Sequence, residues 1–344
     1  LHDALPIFAT LAALADRITQ SAGPARLGLI EMGRNVDAIA AYLGALRHNL
    51  PVILTAPGQP ERTAELIQRF QPDCLFRDGQ WSTLSVDPWH TRMPHPDLAV
   101  LLSTSGSTGD PRLVRLSHGN IEANAEAIAA YLGLRASDRA ITSLPLHHAF
   151  GLSVLHAQLA AGGSLVVTGA AIGSPAFQAL CGHYRCTVLA SVPHGYDLLE
   201  QGGFMEDCPP SLRILQVAGG RMAPDAALRW ARWARAGDRR FFVMYGQTEA
   251  APRMAWLPPE QALLHPDCIG RPIRGGSFSL RDEHGLTISG NGIAGELVYR
   301  GANVMMGYAD SREDLALRAG PAVLRTGDIA ERVADDMYRI VGRS

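Results

Sequence analysis

Short apolar runs alternate with amphipathic segments from the start of the chain to about residue 244. Apolar runs at 27–30 and 51–55 flank a segment at 36–46 whose apolar residues recur with helical spacing. The same pattern returns at 212–217 and 240–244, around another helical segment. Such alternation predicts mainly parallel strands, with helices covering both faces of each sheet.

The pattern changes after about residue 270, where helical spacing stops. Glycines then separate short strand-like segments, at 277–280, 286–288, 296–300, 329–333 and 338–341. These segments predict a small, distorted antiparallel β-barrel-like module. The expected fold is therefore α/β, with doubly wound, mostly parallel sheets in two stacked subdomains over 1–270 and the β-rich module over 271–344.

One glycine pattern in the β-rich module matches the spacing of a dinucleotide-binding loop. It is Gly290-Asn-Gly-Ile-Ala-Gly295. A dinucleotide fold needs a helix after these glycines, whereas here a strand-like segment follows. The pattern therefore predicts a turn between two strands.

Composition narrows the classes of function. With 47% hydrophobic residues and a net charge of −2, the 344-residue chain is expected to be globular and to lack the basic field of a nucleic-acid-binding protein. The 31 basic residues are all arginines. The absence of lysine from the sequence excludes a Schiff-base lysine and the lysine of a nucleotide-binding P-loop in this chain.

Cysteine usage and hydropathy bear on the compartment. The five cysteines are scattered without a Cys-x-x-Cys pair, which favours a reducing compartment and a cytoplasmic protein. A metal cluster at Cys181 to Cys186 is disfavoured, because the spacing matches no structural zinc pattern. The longest apolar region, 154–172, contains polar residues and glycines, so it predicts a helix and a strand and no membrane span.

A loop rich in serine, threonine and glycine carries the strongest chemical signal. It follows the apolar run at 98–102 and reads Ser103-Thr-Ser-Gly-Ser-Thr-Gly-Asp-Pro-Arg112, with a helix-like segment expected from Leu116. Glycines allow successive backbone N–H groups to point inward, and hydroxyls add further donors. The loop therefore predicts polyphosphate binding, with a plain hydrophilic connection as the alternative.

Three further segments follow apolar runs at strand ends. They are His147-His-Ala-Phe150, Gly219-Gly-Arg-Met222 and Tyr245-Gly-Gln-Thr-Glu249. The last combines an aromatic face, a hydroxyl and a carboxylate, which suit a base, a phosphate oxygen and a hard cation. Each segment also has a purely structural interpretation. The histidines could serve in packing, the glycines could form a turn, and the last segment could be a plain loop.

The serine- and threonine-rich loop resembles the phosphate loop of the adenylate-forming superfamily. That superfamily contains acyl-CoA synthetases, luciferases and the adenylation domains of peptide synthetases. The matching nucleotide-binding residues are Thr104, Ser105, Gly106, Ser107, Thr108 and Gly109, followed by Pro111 and Arg112. Further matches appear downstream in the family's order over nearly the whole chain, most like an AMP-forming acyl-CoA synthetase.

The resemblance implies a role for each matching residue. His148, Phe150 and Gly219 would line the acid pocket, whereas Gly220, Arg221, Met222 and Tyr245 would approach adenine. Asp328 and Arg343 would bind the ribose. The catalytic residues implied are His148, Thr248, Glu249 and Arg112, with Glu249 holding Mg²⁺.

The implied reaction is ATP-dependent activation of a carboxylic acid to acyl-AMP, with release of pyrophosphate. No aspartate stands where amino-acid-selecting domains hold the α-ammonium group, so an acid without an α-amine is expected. The resemblance stops at the hinge motif, Gly342-Arg343, and implies a truncated or naturally split enzyme without the lysine-bearing C-terminal lid. Adenylation is then expected to be weak. Transfer to CoA or to the pantetheine of an acyl carrier protein would need the absent domain.

Three alternatives remain at this stage. The chain could load a carrier protein, or it could be a catalytically silent nucleotide-binding module, because Arg112 and Arg221 depart from the usual family residues. A kinase or NTPase is disfavoured by the absence of a P-loop lysine, and release of ADP would favour it again.

Overall fold

The computed structural model describes residues 5–23, 25–84, 93–104 and 112–343. The chain divides into two compact units. The first consists of Leu1–Gly119, Pro145–Ala149 and Met305–Pro321, and the second of Asn120–Leu144, Phe150–Val304 and Ala322–Ser344. This division follows compactness alone, and the expected functional boundary at residue 270 stays a prediction.

The described residues form eight α-helices. These are α1 (Leu5–Gln20), α2 (Val36–Arg47), α3 (Pro60–Phe70), α4 (His118–Leu132), α5 (Ala149–Ala160), α6 (Pro175–His183), α7 (Pro193–Gln201) and α8 (Pro224–Ala236). Their starts follow known preferences: the Asn35 side chain accepts a hydrogen bond from the N–H of Ala38, and proline occupies the first turn of α3, α6, α7 and α8.

The described residues also form nineteen strands. They are β1 (Gly28–Glu31), β2 (Val52–Thr55), β3 (Cys74–Arg77), β4 (Gln80–Thr83), β5 (Leu98–Ser103), β6 (Leu113–Ser117), β7 (Arg139–Ile141), β8 (Ser164–Val166), β9 (Val188–Ser191), β10 (Ile214–Val217), β11 (Arg240–Gly246), β12 (Arg253–Leu257), β13 (Arg271–Pro272), β14 (Ser277–Arg281), β15 (Thr287–Ile288), β16 (Ala294–Arg300), β17 (Gly307–Ala309), β18 (Val323–Ala334) and β19 (Met337–Arg343).

The first unit contains one seven-stranded sheet in the order β17-β6-β5-β2-β1-β3-β4. Its four central strands are parallel, as the alternation of apolar and amphipathic segments predicts, and the three outer strands pair antiparallel. The central strands are apolar except at their last residues, because both faces are removed from water, as Leu29, Ile53 and Leu101 show.

Strand β6 corrects one expectation. The segment from Leu116 was expected to be helical, but Leu113–Ser117 pairs antiparallel with β5 and the helix begins at His118. The buried Arg115 side chain donates hydrogen bonds to the carbonyl oxygens of Met306, Tyr308 and Leu317. These partners lie about 200 residues away in sequence, so local patterns cannot reveal them.

The second unit contains another seven-stranded sheet, in the order β13-β12-β11-β10-β9-β7-β8. Strands β11, β10, β9, β7 and β8 are parallel, and β12 and β13 add an antiparallel edge. Helix α8 contributes the fully buried Trp230, whose ring packs edge-on against Tyr196 with centroids 4.9 Å apart.

The third sheet, also in the second unit, is five-stranded and antiparallel in the order β15-β14-β16-β18-β19. In the described residues β15 and β19 do not pair, so the expected barrel-like module is an open sheet. Gly290 and Gly292 lie between β15 and β16, and Gly295 belongs to β16, which confirms the predicted turn between two strands. The mixed α/β fold is therefore confirmed. In the described ranges, no helix is both long and apolar enough to cross a bilayer.

Candidate functional site

The clearest polar constellation in the second unit surrounds the carboxylate of Asp328 on β18. The Tyr245 hydroxyl, at the end of β11, donates a hydrogen bond to Asp328 Oδ2 at 2.5 Å. The Gln247 side-chain amide donates to the same oxygen at 3.0 Å. Among the described residues, hydrogen bonds to this carboxylate end on Oδ2, so Oδ1 keeps its lone pairs for other donors.

Local structure fixes this carboxylate from both sides. A Cβ atom at position 246 would overlap the carbonyl oxygen of Pro252, so only glycine allows the chain to turn directly after Tyr245. On β18, the Thr326 hydroxyl accepts a hydrogen bond from the Asp328 N–H at 3.1 Å and donates to the Leu297 carbonyl at 2.8 Å. Because both strands are fixed, the side chains need little ordering before a ligand binds.

The electrostatics keep the tyrosine a hydrogen-bond donor. Burial and, after it, the hydrogen bond to Asp328 raise the pKa of Tyr245 above its ordinary value, so the phenol stays protonated at neutral pH. Arg343 pairs with Asp328 across β18 and β19, with Nε 3.9 Å from Oδ1. Its side chain is 81% exposed, so a ligand can approach the cation and Oδ1 together.

Thr248 and Glu249 follow in a 3₁₀ turn, Thr248–Ala250, and both are half-buried. The turn directly follows Gln247, which places a hydroxyl and a carboxylate within two residues of the Asp328 contact. One carboxylate can hold Mg²⁺ when phosphate oxygens and water complete the octahedron. Glu249 supplies one carboxylate next to this constellation.

The glycine segment forms the turn between β10 and α8. Gly219 has a left-handed backbone, with φ of +77°, and is exposed, as are Gly220 and Arg221. Met222 is 7% exposed and packs in the core of the second unit. A Cβ atom at Gly219 would lie 3.5 Å from the half-buried Phe150 ring, so the turn and this ring are neighbours.

The histidine pair lies in the first unit, directly before α5. The rings of His147 and His148 are 4.3 Å apart. Burial, and then the neighbouring His148, lower the pKa of His147 to about 4, so this ring is neutral at pH 7. His148 is the more exposed of the two histidines. Partial burial of its ring lowers its pKa as well.

The ends of the serine- and threonine-rich loop also belong to the first unit. Thr104 follows β5 and is half-buried, and the exposed Arg112 precedes β6. The Arg112 guanidinium stacks over the Tyr308 ring, 4.3 Å from its centroid. The predicted phosphate-binding residues Ser105, Gly106, Ser107, Thr108 and Gly109 lie outside the described residues.

The structure thus brings together Tyr245, Asp328 and Arg343, which are far apart in sequence. Sequence reasoning missed two residues of this constellation. Gln247 occupies the variable position of its motif, and its side chain also donates to the Thr326 carbonyl at 2.8 Å. The signal available for Thr326 was its place two residues before Asp328, where a hydroxyl can bind the backbone N–H of that aspartate.

Comparison with known proteins identifies the family of the chain. The model of the AMP-binding enzyme family matches residues 9–309. The chain is 33% identical to 2-succinylbenzoate–CoA ligase of Bacillus pumilus over 67% of its own length and 46% of the relative's. It is 29% identical to syringomycin synthase SyrB1 of Pseudomonas syringae over 92% of its own length and 56% of the relative's.

Solved structures agree on the fold. The o-succinylbenzoate CoA synthetase of Bacillus subtilis, solved with an acyl-adenylate intermediate, superposes with a TM-score of 0.78 at 21% identity, over 98% of this chain and 92% of that one. The chain spans about half the length of the curated relatives above. Since the family match covers most of the chain, the protein belongs to the AMP-binding enzyme family, within the adenylate-forming superfamily.

Proposed function

We propose that this protein activates a carboxylic acid without an α-amino group, using ATP. A carboxylate oxygen attacks the α-phosphorus, the bond to the β-phosphate oxygen breaks, and acyl-AMP and pyrophosphate result. The observation that carries the proposal is the Asp328 carboxylate. Tyr245 and Gln247 hold Oδ2, which leaves Oδ1 to accept hydrogen bonds from ribose hydroxyls beside the exposed Arg343.

The remaining roles follow family membership residue by residue. Gly220, Arg221, Met222 and the Tyr245 ring would contact adenine, while Thr104, the segment 105–109 and Arg112 would bind the phosphates. Glu249 would hold Mg²⁺, and the Thr248 hydroxyl would bind a phosphate oxygen. The acid would lie beside His148, Phe150 and Gly219. Catalysis then consists mainly of positioning and of neutralising the charge that develops on the α-phosphate.

The chain as it stands is expected to adenylate slowly. It contains no lysine, so no lysine ammonium group of this chain can neutralise the charge of the transition state. Transfer of the acyl group to CoA, or to the pantetheine of an acyl carrier protein, is proposed as a second half-reaction that requires a lysine-bearing C-terminal domain. The name of one relative, a CoA ligase, supports CoA as the acceptor.

The test is pyrophosphate release and ATP–pyrophosphate exchange over a panel of carboxylic acids and α-amino acids, with Mg²⁺. We expect acid-dependent AMP and pyrophosphate, no response to α-amino acids, and a higher rate when a lysine-bearing C-terminal domain is added. Thioester formation by the chain alone would contradict the proposal that the second half-reaction requires a lysine-bearing C-terminal domain. ADP as the product would instead indicate a kinase or NTPase.

A silent nucleotide-binding module is the second candidate. It is favoured by Arg221, an exposed arginine at a position where the family resemblance implies a small residue beside adenine. Calorimetry separates the two candidates. ATP binding without acid-dependent pyrophosphate release, for every acid tested and with the C-terminal domain added, would support the silent module.

A further inference from the structure

A buried arginine lies in the second unit, at the start of β12. Arg253 is only 1% exposed. A guanidinium is always charged at neutral pH, and a charge removed from water is costly unless an opposite charge or a full set of hydrogen bonds compensates it. The groups around Arg253 therefore decide whether its role is structural.

Its described contacts are all with neutral groups. The guanidinium donates to the Tyr131 hydroxyl at 3.3 Å and, through both terminal nitrogens, to the Gln216 side-chain oxygen at 3.4 Å. It also contacts the Met244 sulfur. These hydrogen bonds are long, and Nε has no partner within the described part of the chain. Consistent with this, burial lowers the pKa of Arg253, and no carboxylate in the described ranges offsets it.

The main chain of Arg253 is held independently of its side chain. Its carbonyl oxygen accepts hydrogen bonds from the side-chain amides of Asn124, at 2.8 Å, and Asn303, at 3.0 Å. These two hydrogen bonds hold the main chain of β12 at this position without involving the guanidinium. An apolar side chain of similar length could fill the same space without a desolvated charge.

The guanidinium also lies next to the region proposed for the acid. Its carbon is 4.4 Å from the centroid of the Phe150 ring. That ring is half-buried and neighbours the exposed Gly219 turn. Under the proposed function, Phe150 and Gly219 border the path of the acyl chain, so Arg253 lies one side chain behind it.

We propose that Arg253 binds a second anionic group on the acid, so that the substrate is a dicarboxylic acid with one carboxylate activated and the other bound by the guanidinium. This inference rests on the proposed function, because it needs the acid to enter beside Phe150. A rotation of the Phe150 side chain admits the distal carboxylate. The carboxylate then supplies both the missing acceptor for Nε and the missing counter-charge, in the two-point geometry that guanidinium groups favour.

The test compares monocarboxylic acids with dicarboxylic acids of the same chain length in ATP–pyrophosphate exchange. The wild-type protein is expected to prefer the dicarboxylic member by about tenfold or more in kcat/KM, as hydrogen bonds between charged groups imply. In Arg253→Met the preference should fall to about one, while the thermal midpoint stays within a few degrees.

Arg239→Met is the matched control. Arg239 also stacks on an aromatic ring, that of Trp233 at 4.7 Å, and also has a buried Nε without a partner among the described residues. Arg239 packs on Trp233 of α8, whereas Arg253 packs on Phe150. The replacement of Arg239 should leave the preference for dicarboxylic acids unchanged.

Each result decides the question. A wild-type preference for monocarboxylic acids, or a preference that survives Arg253→Met, overturns the inference. Equal loss for both acid classes together with a lower thermal midpoint shows a structural role and overturns it too. If Arg253→Met does not fold, Arg253→Lys replaces it, and an undiminished preference in that variant counts against the inference. If no carboxylic acid supports ATP–pyrophosphate exchange, the proposed function is wrong, and the inference that rests on it is wrong too.

Discussion

Two carboxylates of the second unit, those of Asp138 and Asp328, differ in how fully their oxygens are used. Asp138 is 1% exposed, and Arg213 donates to both of its oxygens, Nε at 2.7 Å to Oδ1. The Thr187 hydroxyl and the Arg135 N–H add bonds of 2.8 and 2.7 Å. Asp328 is 14% exposed in its side chain, and its described hydrogen bonds reach one oxygen only.

The difference separates a structural carboxylate from one that can take a ligand. Burial alone raises the pKa of Asp138, but the hydrogen bonds from Arg213, Thr187 and the Arg135 N–H outweigh it and hold that pKa below its usual value. A carboxylate that accepts hydrogen bonds on both oxygens in this way stabilises the fold and cannot accept further bonds from a ligand. Asp328 is equally well positioned but keeps Oδ1 accessible, which is what a hydroxyl-bearing ligand requires.

The largest expected effect comes from removing the structural carboxylate. Asp138→Ala leaves Arg213 and two other donors without their partner, so the free energy of unfolding of the second unit should fall by about 3 kcal/mol. Urea unfolding followed by tryptophan fluorescence measures this, because Trp230 is fully buried in that unit. Asp328→Ala is the matched variant, and an equal loss of stability there would erase the distinction between the two carboxylates.

The second effect is on activity. Asp328→Asn keeps an acceptor for Tyr245 but removes the charge, so pyrophosphate exchange should fall about 10- to 100-fold, as expected for hydrogen bonds to a charged group. Asp336→Asn is the control, because Asp336 is exposed in the β18–β19 turn and asparagine tolerates its left-handed backbone, φ +55°. A wild-type exchange rate in Asp328→Asn would remove Asp328 from the nucleotide site.

The two carboxylates also differ in how much the sequence reveals about them. Asp138 follows Arg135-Ala-Ser and stands out in no motif, because three of its four donors come from Thr187 and Arg213, about 50 and 75 residues further on. Asp328 was identified through family resemblance, and its spacing from Tyr245 carries no geometric information by itself. Gln247 was missed because its motif position tolerates many residues, although its amide contacts the carboxylate.

The fold was more predictable than either site. The central parallel strands were found because a strand buried on both faces is mostly apolar, as at 98–102 and, apart from Gln216, at Ile214–Val217. Strand β6 was missed because Arg115 interrupts its apolar run, and the carbonyl groups that satisfy this arginine belong to residues 306–317. Helix α7 was missed as well, since its apolar positions are few.

A third, smaller effect is the pH dependence of stability. The folded-state pKa of Asp138 lies below its unfolded value of about 3.9, so its contribution is complete above that value and is lost as pH falls through the folded pKa. Below about pH 4, wild-type stability should therefore fall more steeply than that of Asp138→Asn. Thermal unfolding at half-unit pH steps measures both curves, and parallel curves would contradict the assigned hydrogen bonds.

The smallest expected effect is at Arg343, and it tests whether Oδ1 of Asp328 is accessible to a ligand. Its Nε is 3.9 Å from Asp328 Oδ1 and its side chain is 81% exposed, so water and salt screen the pair strongly. Arg343→Ala should leave the thermal midpoint unchanged and raise the KM for ATP less than about threefold at low salt, with less effect at 0.5 M salt. Arg332→Ala, at a hydrogen-bonded arginine on the same strand as Asp328, is the control for lost charge. A loss of stability in Arg343→Ala would mean that Oδ1 is already engaged by the protein, and that Asp328 resembles Asp138 after all.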